Sequence, residues 1–213
     1  SYLMLPILGP STGRDTVGRV VDTFTNPVSY VGFPFGAVIQ GTTIVSKREA
    51  LLDITDEIEE IANDISEASD ILFVGRGVNF PLAMEGALKL KEVSYIHAEG
   101  YASGELKHGP IALIDEKMPI IVVAPRDALF EKTISNMQEV VARGGKVVLV
   151  SDKEGIATSG TEVWHSVEMP SVFPAWAPIL YAIPMQLIAY HTAVAKGTDV
   201  DQPRNLAKSV TVE

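Results

Sequence analysis

A chain of 213 residues with a formal net charge of −10 and no cysteine is long enough for one large α/β domain, alone or with an appendage. The acidic balance argues against a nucleic acid, whose phosphate backbone needs basic partners, and leaves small molecules or proteins. Without cysteine there is neither a disulfide framework nor a thiolate metal site, which fits the cytoplasm. The longest apolar run, around Pro178 to Tyr190, is broken by Pro184 and Gln186 and falls short of a bilayer span, and no secretion signal opens the chain.

Residues 1–53 are rich in Gly, Pro and Thr and keep no sustained period, so they read as an irregular arm. One helix is expected from Arg14 to Phe24, capped by Ser11 or Thr12 and stopped before Asn26-Pro27. Within this arm, LPILGPSTGRDTVGRVVD and FGAVIQGTTIVSKREALLD resemble part of the MlaA (VacJ) lipoproteins of the Gram-negative outer membrane, a family that moves phospholipid out of the outer leaflet. The resemblance stops with the arm and lacks the family's lipidated cysteine. It implies an appended or fused segment rather than a transport pore.

From Ile54 the pattern becomes regular. Ile54, Ile58, Ile61 and Ile65 recur at helical spacing, with Asp56, Glu57, Glu59, Glu60 and Asp64 on the other face, which predicts an amphipathic helix ending near Ala68. ILFVGRG (71–77) reads as a buried strand entering a glycine turn. A helix follows from Asn79 or Pro81 to about Tyr95, with Leu82, Leu88 and Val93 expected toward a sheet. PIIVVAP (119–125) and KVVLVSD (146–152) read as strands around a helix from Ala128 to Ala142, which Arg143-Gly144-Gly145 stops. WHSVEMP (164–170) reads as a further strand, and Pro178 to Ala195 as a long apolar helix. This alternation predicts an α/β three-layer sandwich: a mainly parallel sheet flanked by helices, spanning residues 54–213 behind the arm of 1–53.

Chemistry concentrates between Glu85 and Pro110, in EGALKLKEVSYIHAEGYASGELKHGP. Glu85 and Lys89 are four apart, Lys89 and Glu92 three apart, so all three share a helix face. As surface pairs they contribute only ~0.3–0.5 kcal/mol each; at a pocket, Glu92 could act as a general base with Lys89 tuning its charge. The turn GRGVNFP (75–81), which contains Gly77 and Val78, stands where α/β sheets bind ligands. It lacks the full dinucleotide fingerprint, so a structural turn and a ligand loop both remain open. His97 and His108 flank a glycine-bearing segment and can move protons near neutral pH. No ligand spacing among the four histidines suggests a metal. Lys208, in the polar tail RNLAKSVTVE, becomes a carbonyl nucleophile only in a dry site, although the apolar Leu206, Ala207, Val210 and Val212 suggest that the tail docks.

EGALKLKEVSYIHAEGYASGELKHGPIALID, MPIIVVAPRDALFEKTISNMQEVVARGG and KGTDVDQPRNLAKSVTVE together resemble the C-terminal sugar-isomerase (SIS) domain of the glutamine–fructose-6-phosphate aminotransferase (isomerizing) family, the glucosamine-6-phosphate synthases. The resemblance implies that Glu92 shuttles a proton between C1 and C2 of fructose 6-phosphate and that Lys89 assists. It implies further that His108 opens the sugar ring in the neighbouring subunit of a homodimer, and that Lys208 holds the open-chain sugar as a Schiff base. Gly77, Val78 and Ala207 are implied as substrate contacts, and neither metal nor organic cofactor is required. The family's glutaminase domain and its Ser/Thr-rich phosphate loop have no counterpart in the sequence. The expectation is therefore an isomerase half-site with weak or no synthase activity alone. The alternatives are a non-catalytic phosphosugar-binding module and, from the arm only, a fragment of a phospholipid-transport lipoprotein. No membrane partner is expected for the SIS part.

Overall fold

The computed structural model describes residues 54–205. The expected helix from Arg14 to Phe24, the rest of the arm, and Ala207 and Lys208 in the tail lie outside the described residues. Within them, helix α1 (Thr55–Ile65) is followed by strand β1 (Asp70–Gly75), helix α2 (Phe80–Ser94) and strand β2 (His97–Ala102). Then come β3 (Pro119–Val123), α3 (Phe130–Val141), β4 (Lys146–Asp152), the short α4 (Lys153–Thr158), β5 (His165–Met169) and α5 (Ala177–Ala195).

The five strands form one parallel sheet in the order β2-β1-β3-β4-β5. Its three central strands are nearly continuous runs of Ile, Val, Leu and Phe because both faces are covered. Ile71, Phe73, Ile121, Val123, Val148 and Val150 point to α1, α2 and α5, while Leu72, Val74, Ile120, Val122 and Leu149 meet Phe130, Ile134, Met137 and Val140 of α3. The expected three-layer sandwich is the observed one. α1 also forms as expected: Ile58, Ile61 and Ile65 are at most 1% exposed, and the acidic residues face outward.

The structure adds two elements and refines a third. The sequence pattern assigns no element to residues 97–102, but HAEGYA pairs with β1 from Asp70↔His97 to Gly75↔Ala102; as an edge strand it buries only Ala98 fully, so its sequence lacks the apolar run of its neighbours. α4 was not anticipated; six residues, with Asp152 accepting the Gly155 amide at its start, are too few to show a period. The fully buried inner face of α2 is formed by Ala83, Gly86, Ala87 and Leu90, while Leu82 and Val93 pack partly buried against the same core, as expected, and Leu88 is partly buried. Small residues win there because the helix sits very close: a Cβ on Gly86 would lie 2.8 Å from the Phe73 ring and 3.2 Å from Met185 Sδ.

α5 is apolar on every side because it lies between α1 and α2. It runs from the carboxyl edge of the sheet to the amino edge, where Lys196 Nζ donates to the Ser66 carbonyl at 3.0 Å, just before β1 begins. The strand order reverses between β1 and β3, so their carboxyl ends frame the crevice where α/β sheets characteristically hold ligands.

Candidate functional site

The candidate residues divide between the two edges of the sheet. α2 runs antiparallel to the strands, so its last turns carry Lys89 and Glu92 to the amino edge. There Lys89 Nζ is 2.7 Å from Glu92 Oε2 and 3.8 Å from Glu85 Oε1. The Lys89 and Glu92 side chains are 26% and 27% exposed, shielded more than a freely solvated pair yet open to a substrate. This is a carboxylate with an ammonium in contact, an arrangement that suits a proton carrier.

The chain after α5 returns to this same end of α2. Tyr95 ends the helix in the left-handed region, with φ 62°. Thr198 Oγ1 donates to the Val93 carbonyl at 2.6 Å, and the Arg204 amide donates to the Tyr95 hydroxyl at 2.9 Å. The Arg204 guanidinium stacks 4.1 Å above the Tyr95 ring. The chain is thus held at Tyr95, three residues after Glu92, as far as Arg204; Leu206, Ala207, Val210 and Val212, on which the docking expectation rests, lie outside the described residues.

At the carboxyl edge, Gly77 adopts φ +57°, and a Cβ there would meet Leu129 Cδ1 at 2.7 Å, so the turn requires glycine. Val78 is 63% exposed. Asn79 is buried; its Nδ2 donates to Asp127 Oδ2 at 3.0 Å, and its Oδ1 has no partner among the described residues. The turn is therefore tied across the crevice to a carboxylate, which disfavours a phosphate in front of the helix N-terminus. His108 ends a tight helical turn, Ser103–His108, after β2; it is exposed and makes no hydrogen bond or ion pair among the described residues. Beside it, Lys107 pairs with Glu139 at 2.7 Å.

The structure brings Lys89 and Glu92 together and keeps Gly77, Val78 and His108 away from them. About 18 Å of helix separates the start of α2 from Glu92. His97 is not a loop residue poised at a ligand: in β2 its Nδ1 pairs with Asp70 at 2.8 Å, and Nε2 lies 3.7 Å from Glu99. Among the described residues no three His, Asp or Glu are grouped to hold a metal ion, and no helix is long and apolar enough to cross a membrane. Sequence reasoning did not single out Arg126, Asp127, Asp152 and Tyr181, which line a cavity at the carboxyl edge. Only Asp152, a carboxylate closing an apolar strand, carried a signal.

Comparison with known proteins adds two family matches. Residues 64–196 match the SIS domain, and residues 1–67 match the MlaA lipoprotein. A glutamine–fructose-6-phosphate aminotransferase (isomerizing) of Zymomonas mobilis is 67% identical over 164 residues, 77% of this chain and 27% of that protein. This chain thus spans about a quarter of the length of that relative. The C-terminal domain of glucosamine-fructose-6-phosphate aminotransferase from Francisella tularensis superposes with a TM-score of 0.67 at 44% identity, over 78% of this chain and 50% of that one. A tagatose-6-phosphate ketose/aldose isomerase of Escherichia coli shares the fold, with a TM-score of 0.56 at 17% identity over 78% of this chain and 49% of that one.

Proposed function

The chain belongs to the SIS domain family, and from that premise we propose that it carries the proton-transferring half of an isomerising site for fructose 6-phosphate, as in the formation of glucosamine 6-phosphate from that sugar and ammonia. The observation that supports this reading most is the Lys89–Glu92 contact at 2.7 Å on a partly shielded helix end where the returning chain is also held. In the open-chain ketose, Glu92 removes a proton from C1. The electron pair forms the C1–C2 double bond, and the oxygen or nitrogen on C2 is protonated. Return of a proton to C2, with loss of the C1 hydroxyl proton as the C1 carbonyl forms, then gives the aldose. Lys89 Nζ stays in contact with the Glu92 carboxylate at 2.7 Å and orients it. Lys208, which follows Asn205 by three residues, is assigned the Schiff base with the sugar carbonyl, and Ala207 a contact beside it.

His108, Gly77 and Val78 share the other edge. Their part in the reaction therefore requires a second copy of the chain, whose carboxyl edge meets this subunit's Glu92 and whose His108 opens the ring. The proposal divides the chain into an appended arm, 1–53, and an SIS unit, 54–213, a reading supported by α1, whose isoleucines belong to the core. A homodimer in the cytoplasm is part of the proposal, and light scattering tests the dimer. Activity of the isolated chain is expected to be weak, because the carboxyl-edge turn offers Asp127 rather than a phosphate cradle, and remote phosphate binding commonly supports the chemical step.

The decisive experiment follows deuterium entering C1 of fructose 6-phosphate in D₂O by NMR. Slow exchange that disappears in Glu92→Gln, with sugar binding retained, is the expected result; Lys208→Ala lowers it as well. Exchange absent in the wild type overturns the enzymatic reading in favour of a phosphosugar-binding module. Full synthase turnover with ammonium overturns the half-site reading.

A further inference from the structure

A cavity of ≈ 200 Å³ opens at the carboxyl edge of β3 and β4, and α5 closes one side of it. Its polar lining is Arg126, Asp127, Asp152, Glu154, Ser171 and Tyr181. Arg126 Nη1 pairs with Glu154 Oε2 at the exposed mouth, so the one guanidinium of the lining is already matched. Asp127 and Asp152 form no ion pair among the described residues. Neutral donors hold them instead: Asn79 Nδ2 at 3.0 Å and the Leu129 amide at 2.7 Å for Asp127, and the amides of Arg126 at 3.2 Å and Gly155 at 3.1 Å for Asp152. A carboxylate has about four acceptor sites, so each retains capacity.

A second observation comes from α5. Tyr181 is 1% exposed and lines the cavity, yet its hydroxyl has no hydrogen-bond partner among the described residues. The Tyr181 hydroxyl is not fully enclosed: it opens onto the cavity, where it is free to donate to whatever fills that space. Burial, together with the Asp152 and Asp127 carboxylates, pushes this phenol far above its ordinary range. It therefore stays a neutral donor.

We propose that this cavity binds a small hydroxylated primary amine, its ammonium group shared by Asp127 and Asp152 and one of its hydroxyl oxygens accepting from Tyr181. Two unmatched carboxylates repel phosphate and favour a cation. The volume lies below the ~300–1,000 Å³ typical of pockets for drug-sized ligands, which limits the ligand to about one sugar ring. The site is separate from Lys89 and Glu92: Tyr181 stands near the start of α5, and the end of that helix lies about 20 Å away at the amino edge.

Glucosamine and glucose, which differ only in the amine at C2, are the probes. Titrated into the full chain and followed by calorimetry and amide chemical shifts, glucosamine is expected to saturate and glucose to bind at least about tenfold more weakly, ~1.4 kcal/mol. Tyr181→Phe and Asp127→Asn should each weaken glucosamine by about tenfold, while Glu92→Gln leaves it unchanged even if C1 exchange is abolished. Should either cavity variant fail to fold, the wild-type shifts still decide: changes confined to 125–127, 152–155 and 171–181 support the site. Equal binding of the two sugars, shifts centred on Lys89 and Glu92, or no saturation by about 50 mM overturns it.

Discussion

The two edges of the sheet handle charge in opposite ways. At the amino edge a carboxylate and an ammonium touch, Glu92 and Lys89, and a cation from the returning chain, Arg204, stacks beside them on Tyr95. At the carboxyl edge, Asp127 and Asp152 are held by amides alone, and the nearest guanidinium is spent on Glu154. The first arrangement sets a carboxylate against its own cation. The second leaves negative charge for a ligand to neutralise. One sheet thus offers two electrostatic environments, joined by the rigid helices α2 and α5 that run between them.

The largest expected effect that tests this contrast is at the amino edge. Glu92→Gln should lower deuterium exchange at C1 by ~10²–10⁴-fold, the usual share of a positioned general base, without altering the carboxyl-edge cavity. Next is the seating of α2. Gly86→Val pushes the helix away from Phe73 and Met185, and urea unfolding should show a loss of ~1–3 kcal/mol; exchange at C1 should fall further than stability alone explains. A smaller effect is expected from acid. Burial holds the His191 imidazole below its ordinary range, with Glu59 opposing. The unfolded chain then binds a proton that the folded chain resists, so stability present above pH ~6.5 is lost as pH falls from there toward the depressed folded value. The urea midpoint should drop between about pH 7 and 5, less steeply in His191→Phe, and amide exchange should rise first where α5 approaches the amino edge. Smallest is Arg204→Ala, which removes a cation–π contact of ~0.5–1 kcal/mol; the melting temperature should barely move while C1 exchange declines.

Much of the fold was legible because it rests on strong local patterns. The isoleucines of α1, the apolar runs of β1, β3 and β4, and the glycine stop after α3 each specify an element by local pattern alone. β2 was illegible because an edge strand with Gly100 and three ionisable residues, His97, Glu99 and Tyr101, on HAEGYA has no apolar signature; its pairing with β1 comes from tertiary context. The same limit applies to function. Lys89 and Glu92 are three residues apart, so helical spacing alone predicted their contact. Tyr181 and Asp127 are far apart in the chain, and only the topology brings a tyrosine from an apolar helix to the end of β3. The GRGVNFP turn shows a third case: spacing left turn and ligand loop open, and the hydrogen bond from Asn79 to Asp127 shows the turn closed by a carboxylate.

Helix α1 carries one more implication. It lies within the stretch that matches the MlaA lipoprotein, residues 1–67, and almost wholly ahead of the SIS match at 64–196, yet Ile58, Ile61 and Ile65 are buried under the sheet. The match to the Zymomonas mobilis relative covers 164 residues of this chain and therefore also reaches back across α1. What the sheet demands of its first neighbour is a periodic apolar stripe, which is a pattern rather than a pedigree. Substitutions along α1 that keep isoleucine-sized apolar residues at that interval leave the core it completes intact.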